Sequence, residues 1–237
     1  MISIKLINFM GKAICRSEIY SSKESFIPIT YDLSGGNIYG LISDFGRGSW
    51  ALATCVGGMG DCVDGEIYLD DKKIEHKELA NYSCYMGQTT FSEISLGNGV
   101  LSAKTCIERA LSISKLPNTL HDIKNSFCLS DERFERDLKY VSGEIWRISA
   151  AIGFALDKKI FCYPWLNTHD AMVSLDYNIL DLLRRSKKIV LIPACRGFVK
   201  TPYKNVLNHI IDFHAYQKSY FHISSEERKK LRKMKYW

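Results

Sequence analysis

The chain has 237 residues, of which 46% are apolar and 24% charged, and a formal net charge of +6. That length carries one large domain or two small ones, and the composition is ordinary for a globular protein with a substantial core. No apolar run approaches the ~18–20 residues that span a bilayer. The start, Met1 to Met10, has no cationic segment before its apolar part and alternates like a strand, so it does not read as a signal peptide. Eight cysteines (Cys15, Cys55, Cys62, Cys84, Cys106, Cys128, Cys162 and Cys195) are scattered without a C-x-x-C pair. Zinc sites need close ligand pairs, so no metal site is expected. Thiols inside apolar stretches read as small core residues in a reducing compartment.

In chain order, residues 1–45 read as strands. Ile27–Leu33 alternates, Gly35-Gly36 turns, and Asn37–Ile42 resumes as a buried strand. The loop Ser43-Asp44-Phe45-Gly46-Arg47-Gly48 leads into a helix from Trp50 to Val56. Strand, glycine loop and helix in that order are the layout of a phosphate-binding loop. Gly65–Asp70 and Tyr82–Met86 read as short strands. The middle is helical over Ser102–Ser114, Leu120–Phe127, Asp131–Tyr140 and Gly143–Leu156, with Ser130 as N-cap before Asp131 and Glu132. Lys159–Tyr163 and Lys188–Ile192 are buried-type strands with a helix, Leu175–Arg185, between them. The tail from Arg228 to Lys235 is basic. Its charge could meet nucleic acid or anionic lipid. It reads instead as a solvated helix over roughly 225–237, with a capping box from Ser224 and Glu227 and cations that complement the helix dipole. This order of elements gives an α/β core interrupted by a helical insertion.

Five of these segments follow one another with a distinctive order and spacing. They are Ile38–Ile42 with loop 43–48, Asp64-Gly65-Glu66-Ile67-Tyr68-Leu69-Asp70, Tyr85-Met86-Gly87-Gln88, Val141-Ser142-Gly143-Glu144-Ile145-Trp146-Arg147, and Ile160–Tyr163. Together they resemble an ATP-binding cassette (ABC) ATPase over nearly the whole chain; no single motif does so alone. The resemblance implies a single domain, 1–237, of the α/β class. Its P-loop NTPase-like (RecA-like) core would carry an N-terminal antiparallel β portion and a helical subdomain at roughly 93–157. It sets Ser43, Gly46, Gly48, Ser49 and Trp50 at the P-loop and Gln88 at the Q-loop. Ser142, Gly143 and Glu144 stand at the signature, Pro164 and Trp165 at the Walker B Asp-Glu pair, and Cys195 at the switch histidine.

Most of those positions lack the expected chemistry. The P-loop lysine reaches the β/γ-phosphates and the next hydroxyl binds Mg²⁺. Ser49 offers no charge, and Trp50 offers no oxygen to a metal that wants oxygen ligands. Pro164 and Trp165 supply neither the acid that holds Mg²⁺ nor the one that polarises water; Asp157 and Asp170 are out of register. His169 belongs to a different loop from Cys195. Glu144 would bring an anion towards a γ-phosphate. Gly11-Lys12-Ala13 lacks both the upstream glycine and the hydroxyl of a P-loop.

Phosphoryl transfer rests on positioning and charge stabilisation. The resemblance therefore implies a catalytically degenerate cassette, with no catalytic residue, no Mg²⁺ and at most weak ATP binding. As a transporter subunit it would be cytoplasmic and peripheral on the inner face of the membrane. Its partners would be a membrane-spanning permease, docked near Gln88 and Thr89–Val100, and a second, intact cassette; nucleic acid is not expected. Trp50 and Trp165 are expected to fill the nucleotide position, and Trp146 to lie at the partner interface or pack within the helical insertion. Two other readings stay open: a working ATPase with unusual ligands, and a stand-alone scaffold or regulator.

Overall fold

The computed structural model describes residues 1–16, 21–87, 101–141 and 144–215. Strands β1 (Ser3–Arg16) and β2 (Ser21–Ser34) form a long antiparallel hairpin. β1 also pairs with β4 (Asp61–Leu69), and β4 with β5 (Lys72–Ile74), in the order β2-β1-β4-β5. Ile4 and Leu6 point inward from even positions, whereas Phe9 and Ala13 do so from odd ones. A bulge between Leu6 and Phe9, with Asn8 at φ 48°, makes that change of phase. One inserted residue swaps the faces of a period-2 strand, so the bulge keeps both halves of β1 apolar side inward.

The second sheet is parallel. It contains β3 (Asn37–Ile42), β6 (Ser83–Tyr85), β7 (Ile160–Cys162), β8 (Ile189–Ala194) and β9 (His209–Asp212), in the order β6-β7-β8-β3-β9. Its central strands are buried on both faces, which is why they read as unbroken apolar runs. Tyr39, Leu41, Cys162 and Leu191 face the antiparallel sheet, while Ile38, Ile42, Phe161 and Val190 face the helices.

Helix α1 (Ser49–Val56) lies between the two sheets, and all eight of its residues are buried. That explains a segment with no polar face. After the short α2 (Leu79–Tyr82) come α3 (Ala103–Ser114), α4 (Leu120–Ser126), α5 (Asp131–Phe134) and α6 (Ile145–Ala155). α7 (Thr168–Ser174) and α8 (Tyr177–Arg185) follow. Helices α3 to α6 lie within the expected helical insertion.

Several expectations need correction. The helix expected over Asp131–Tyr140 stops at Phe134. Asp137 instead accepts from the Lys139 N–H at 3.1 Å to start a separate 3-10 turn, Leu138–Tyr140. Leu138 N–H is drawn to Leu101 O at 2.8 Å, so tertiary pairing overrides the helical pattern. Ser130 stands at the α5 N-cap, but its buried hydroxyl caps nothing. Strand β4 begins at Asp61 rather than Gly65. Strand β9 and helix α7 were not anticipated, because β9 is four residues long with only Ile211 buried. The proposed C-terminal helix, Gln88 to Val100, and the pair Ser142-Gly143 lie outside the described residues.

Candidate functional site

β3, β7 and β8 are parallel neighbours, so the loops that leave their carboxyl ends converge. Open α/β sheets bind ligands at that edge. Ser43 N–H donates to Ala194 O at 3.0 Å, Leu166 N–H to Pro193 O at 2.9 Å and Cys195 N–H to Leu166 O at 3.0 Å. Phe45 meets Trp165 edge to face with ring centroids 5.2 Å apart, and Asp44 lies 3.7 Å from Arg196. Ser43, Gly46, Gly48, Ser49, Trp50, Pro164, Trp165 and Cys195 are thus brought to one end of the parallel sheet.

Loop 43–48 turns through two left-handed glycines, Gly46 at φ 80° and Gly48 at φ 105°. Gly48 also has no room for a side chain, since a Cβ there would come within 2.9 Å of the Phe26 Cβ. This backbone aims the N–H groups of Gly46, Gly48, Trp50 and Ala51 at one point, the kind of concavity that holds anions in phosphate loops. An anion is there, and it belongs to the chain. Glu24, on β2, accepts from Gly46 N–H at 3.0 Å through Oε2. Through Oε1 it accepts from Gly48 N–H at 2.5 Å, Trp50 N–H at 3.1 Å and Ala51 N–H at 3.4 Å. Only 3% of Glu24 is exposed. Burial pushes its carboxyl above the ordinary glutamate range, and the four N–H bonds only partly oppose that rise.

Ser49, expected at the lysine position, is fully buried and its Oγ lies 2.5 Å from Ser43 Oγ. The two hydroxyls brace the loop from inside. Trp50 turns into the core around α1 and donates from Nε1 to Tyr85 Oη at 2.9 Å. Trp165 is half-buried against Phe45, Pro164 is half-buried, and Cys195 Sγ lies 3.3 Å from Thr168 Oγ1. Of the two tryptophans expected to fill the nucleotide position, Trp50 lies in the core instead and Trp165 lies beside the loop at Phe45, while the carboxylate of Glu24 sits in the cradle. Converging N–H groups need an acceptor, and an indole has only a donor.

Elsewhere, Glu144 stands at the N-cap of α6, 3.8 Å from Arg133, and receives Ser130 N–H at 3.4 Å. Gln88, Ser142 and Gly143 lie outside the described residues; just before Gln88, Gly87 N–H donates to Ser149 Oγ at 2.9 Å. Trp146 stacks on Tyr163 at 6.2 Å and packs against the helical core. Asp157 is paired with Lys159 and Lys188, far from any Walker B role. Glu24 escaped the sequence reading. Its signal was phase: it alternates with buried Phe26, which puts an acid on the inward face of β2.

An antiparallel sheet, a parallel sheet and one buried helix after a glycine loop define the fold of an ABC-transporter ATP-binding cassette. Solved cassettes share it. One is a putative ABC transporter ATP-binding protein from Pyrococcus furiosus, 14% identical, with a TM-score of 0.59 over 90% of this chain and 98% of that one. A nucleotide-free cassette from an ABC transporter is 12% identical, with a TM-score of 0.58 over 90% of this chain and 88% of that one. A dimeric cassette in a post-hydrolysis state, bound to ADP and Pi, is 14% identical, with a TM-score of 0.56 over 81% of this chain and 88% of that one. At these identities the likeness is one of fold. No family model matches the chain, and no curated protein matches its sequence.

Proposed function

We propose that this chain is a catalytically degenerate cassette subunit of an ABC transporter. In this reading it does not hydrolyse ATP. It pairs with an intact cassette and couples to a membrane-spanning permease from the cytoplasmic side, on the inner face of the membrane. One observation supports this above others: the loop keeps the backbone of a phosphate cradle while its N–H groups are bonded to Glu24. Around that cradle, Ser49, Trp50, Pro164, Trp165 and Cys195 offer no cation and no carboxylate. Mg²⁺ takes oxygen ligands, and the one side-chain oxygen among these five, Ser49 Oγ, is buried against Ser43 Oγ. A triphosphate entering here would meet the charge of Glu24 where a lysine normally attracts it. Among the described residues no helix is long and apolar enough to cross a membrane, so membrane placement in this reading comes through the permease.

Two measurements test the proposal. Phosphate release from Mg-ATP by the purified chain is expected to equal the protein-free background. Release that disappears when Ser49 or Trp165 is changed would instead identify a working ATPase with unusual ligands. Affinity capture from detergent-solubilised membranes is expected to recover a permease and an intact cassette. Recovery of the chain alone would favour the stand-alone scaffold.

A further inference from the structure

A carboxylate bonded to four backbone N–H groups is a specific arrangement. The donors come from both sides of the turn, Gly46 and Gly48 in the loop and Trp50 and Ala51 in the first turn of α1. They converge only because both glycines are left-handed. Helix α1 has no side-chain cap of its own at Gly48 and no acid in its first turn. A helix N-terminus carries unpaired donors and partial positive charge, and a buried one needs a partner. Glu24 supplies it from another sheet, held in register opposite Ala13.

We propose that Glu24 is the resident ligand of this cradle: its carboxylate stands in for a phosphate, holds loop 43–48 and α1 in an anion-bound shape, and keeps inorganic phosphate and nucleotide out. The consequence is a cassette whose P-loop is permanently loaded and indifferent to nucleotide. The cradle itself stays competent. Its donors and glycine geometry are intact, so removing the carboxylate uncovers a site for a small oxyanion.

This inference rests on the reading of residues 43–51 as the cradle of a non-hydrolysing cassette, but its test is independent of the permease. Thermal unfolding of the full chain is followed against increasing inorganic phosphate, with sodium chloride matched for ionic strength. Wild type is expected to show only the general salting effect. Glu24→Ala is expected to melt about 5–10 °C lower, because buried donors are left unsatisfied. Phosphate, or acetate as a free carboxylate, should restore much of that loss saturably. Glu24→Gln keeps the size of the side chain and carries the test if the alanine variant does not fold. Its neutral amide is a weaker ligand, and phosphate should raise its Tm beyond the wild-type response. An equal response in wild type and the folded variants would overturn the proposal. So would saturable phosphate binding by wild type, or no anion response in a folded variant. Loss of the phosphate effect would leave permease capture untouched, and failure of capture would leave the phosphate effect untouched.

Discussion

Burial separates the two tryptophans that share the site's sequence signal. Trp50 is 9% exposed and hydrogen-bonded in the core, so Trp50→Ala should cost about 3–5 kcal/mol. Trp165→Ala, at a half-buried position, should cost about 1–2 kcal/mol. Urea unfolding at neutral pH ranks the two, and the opposite order would contradict the placement of Trp50. Glu24 gives a pH prediction. Its folded-state proton affinity is raised, so in the pH window between the unfolded and folded values the folded chain holds a proton that the unfolded chain has released, and above that window Glu24 is a carboxylate. That contribution is fully present below the unfolded value and is lost as pH rises through the folded one. Wild type should therefore gain stability relative to Glu24→Gln as pH falls from neutral into that window, in paired denaturation curves. A constant difference would mean that Glu24 does not titrate there. The residues at the carboxyl ends of β3, β7 and β8 could be read directly, because each sits at a fixed offset from a strand end. Glu24 could not. Its role depends on how a hairpin docks against a loop more than twenty residues away, and no local pattern records that.

Among the elements, the amphipathic helices and buried strands were legible because periodicity marks the faces they bury. The broken helix at Phe134 and the edge strand β9 were not, because pairing with distant backbone decides them. The join between α6 and β8 makes a second test. Lys188, just before β8, has a side chain only 8% exposed, and its Nζ lies 3.0 Å from an oxygen of Asp157, just after α6. The Phe154 ring lies 5.3 Å from the same ammonium. Burial lowers the proton affinity of Lys188, as expected for a desolvated cation. Burial alone would raise that of Asp157, but bonds to Lys159 and Lys188 outweigh it, so Asp157 titrates below its ordinary range. Its contribution is present above the unfolded value and lost as pH falls through the folded one. Breaking a fully buried pair costs about 3–5 kcal/mol. Asp157 is partly solvated, so Asp157→Asn should cost about 1–2 kcal/mol. Chemical denaturation reads the loss, and a neutral result would mean that solvent replaces the carboxylate.

At the scale of the molecule, order and spacing of weak motifs were enough to reach the fold at identities of 12–14% to solved cassettes. The described cysteines are free thiols, so Tm should be the same with and without reductant. Among the described thiols, labelling of the native chain should start at exposed Cys128. Cys55, whose thiol is pushed up to about 12 by burial, should react only on unfolding. Early alkylation of Cys55 would show that the layer between the sheets opens readily. That layer also bears on how the chain folds. Helix α1 takes its cap from a strand in the other sheet, and Glu24 precedes the donors it satisfies by 22 to 27 residues. An eight-residue helix is marginal in water without tertiary support. The loop and α1 are therefore expected to set late, when the hairpin closes over them, so that the phosphate-type turn is a product of docking the two sheets rather than a nucleus around which they assemble.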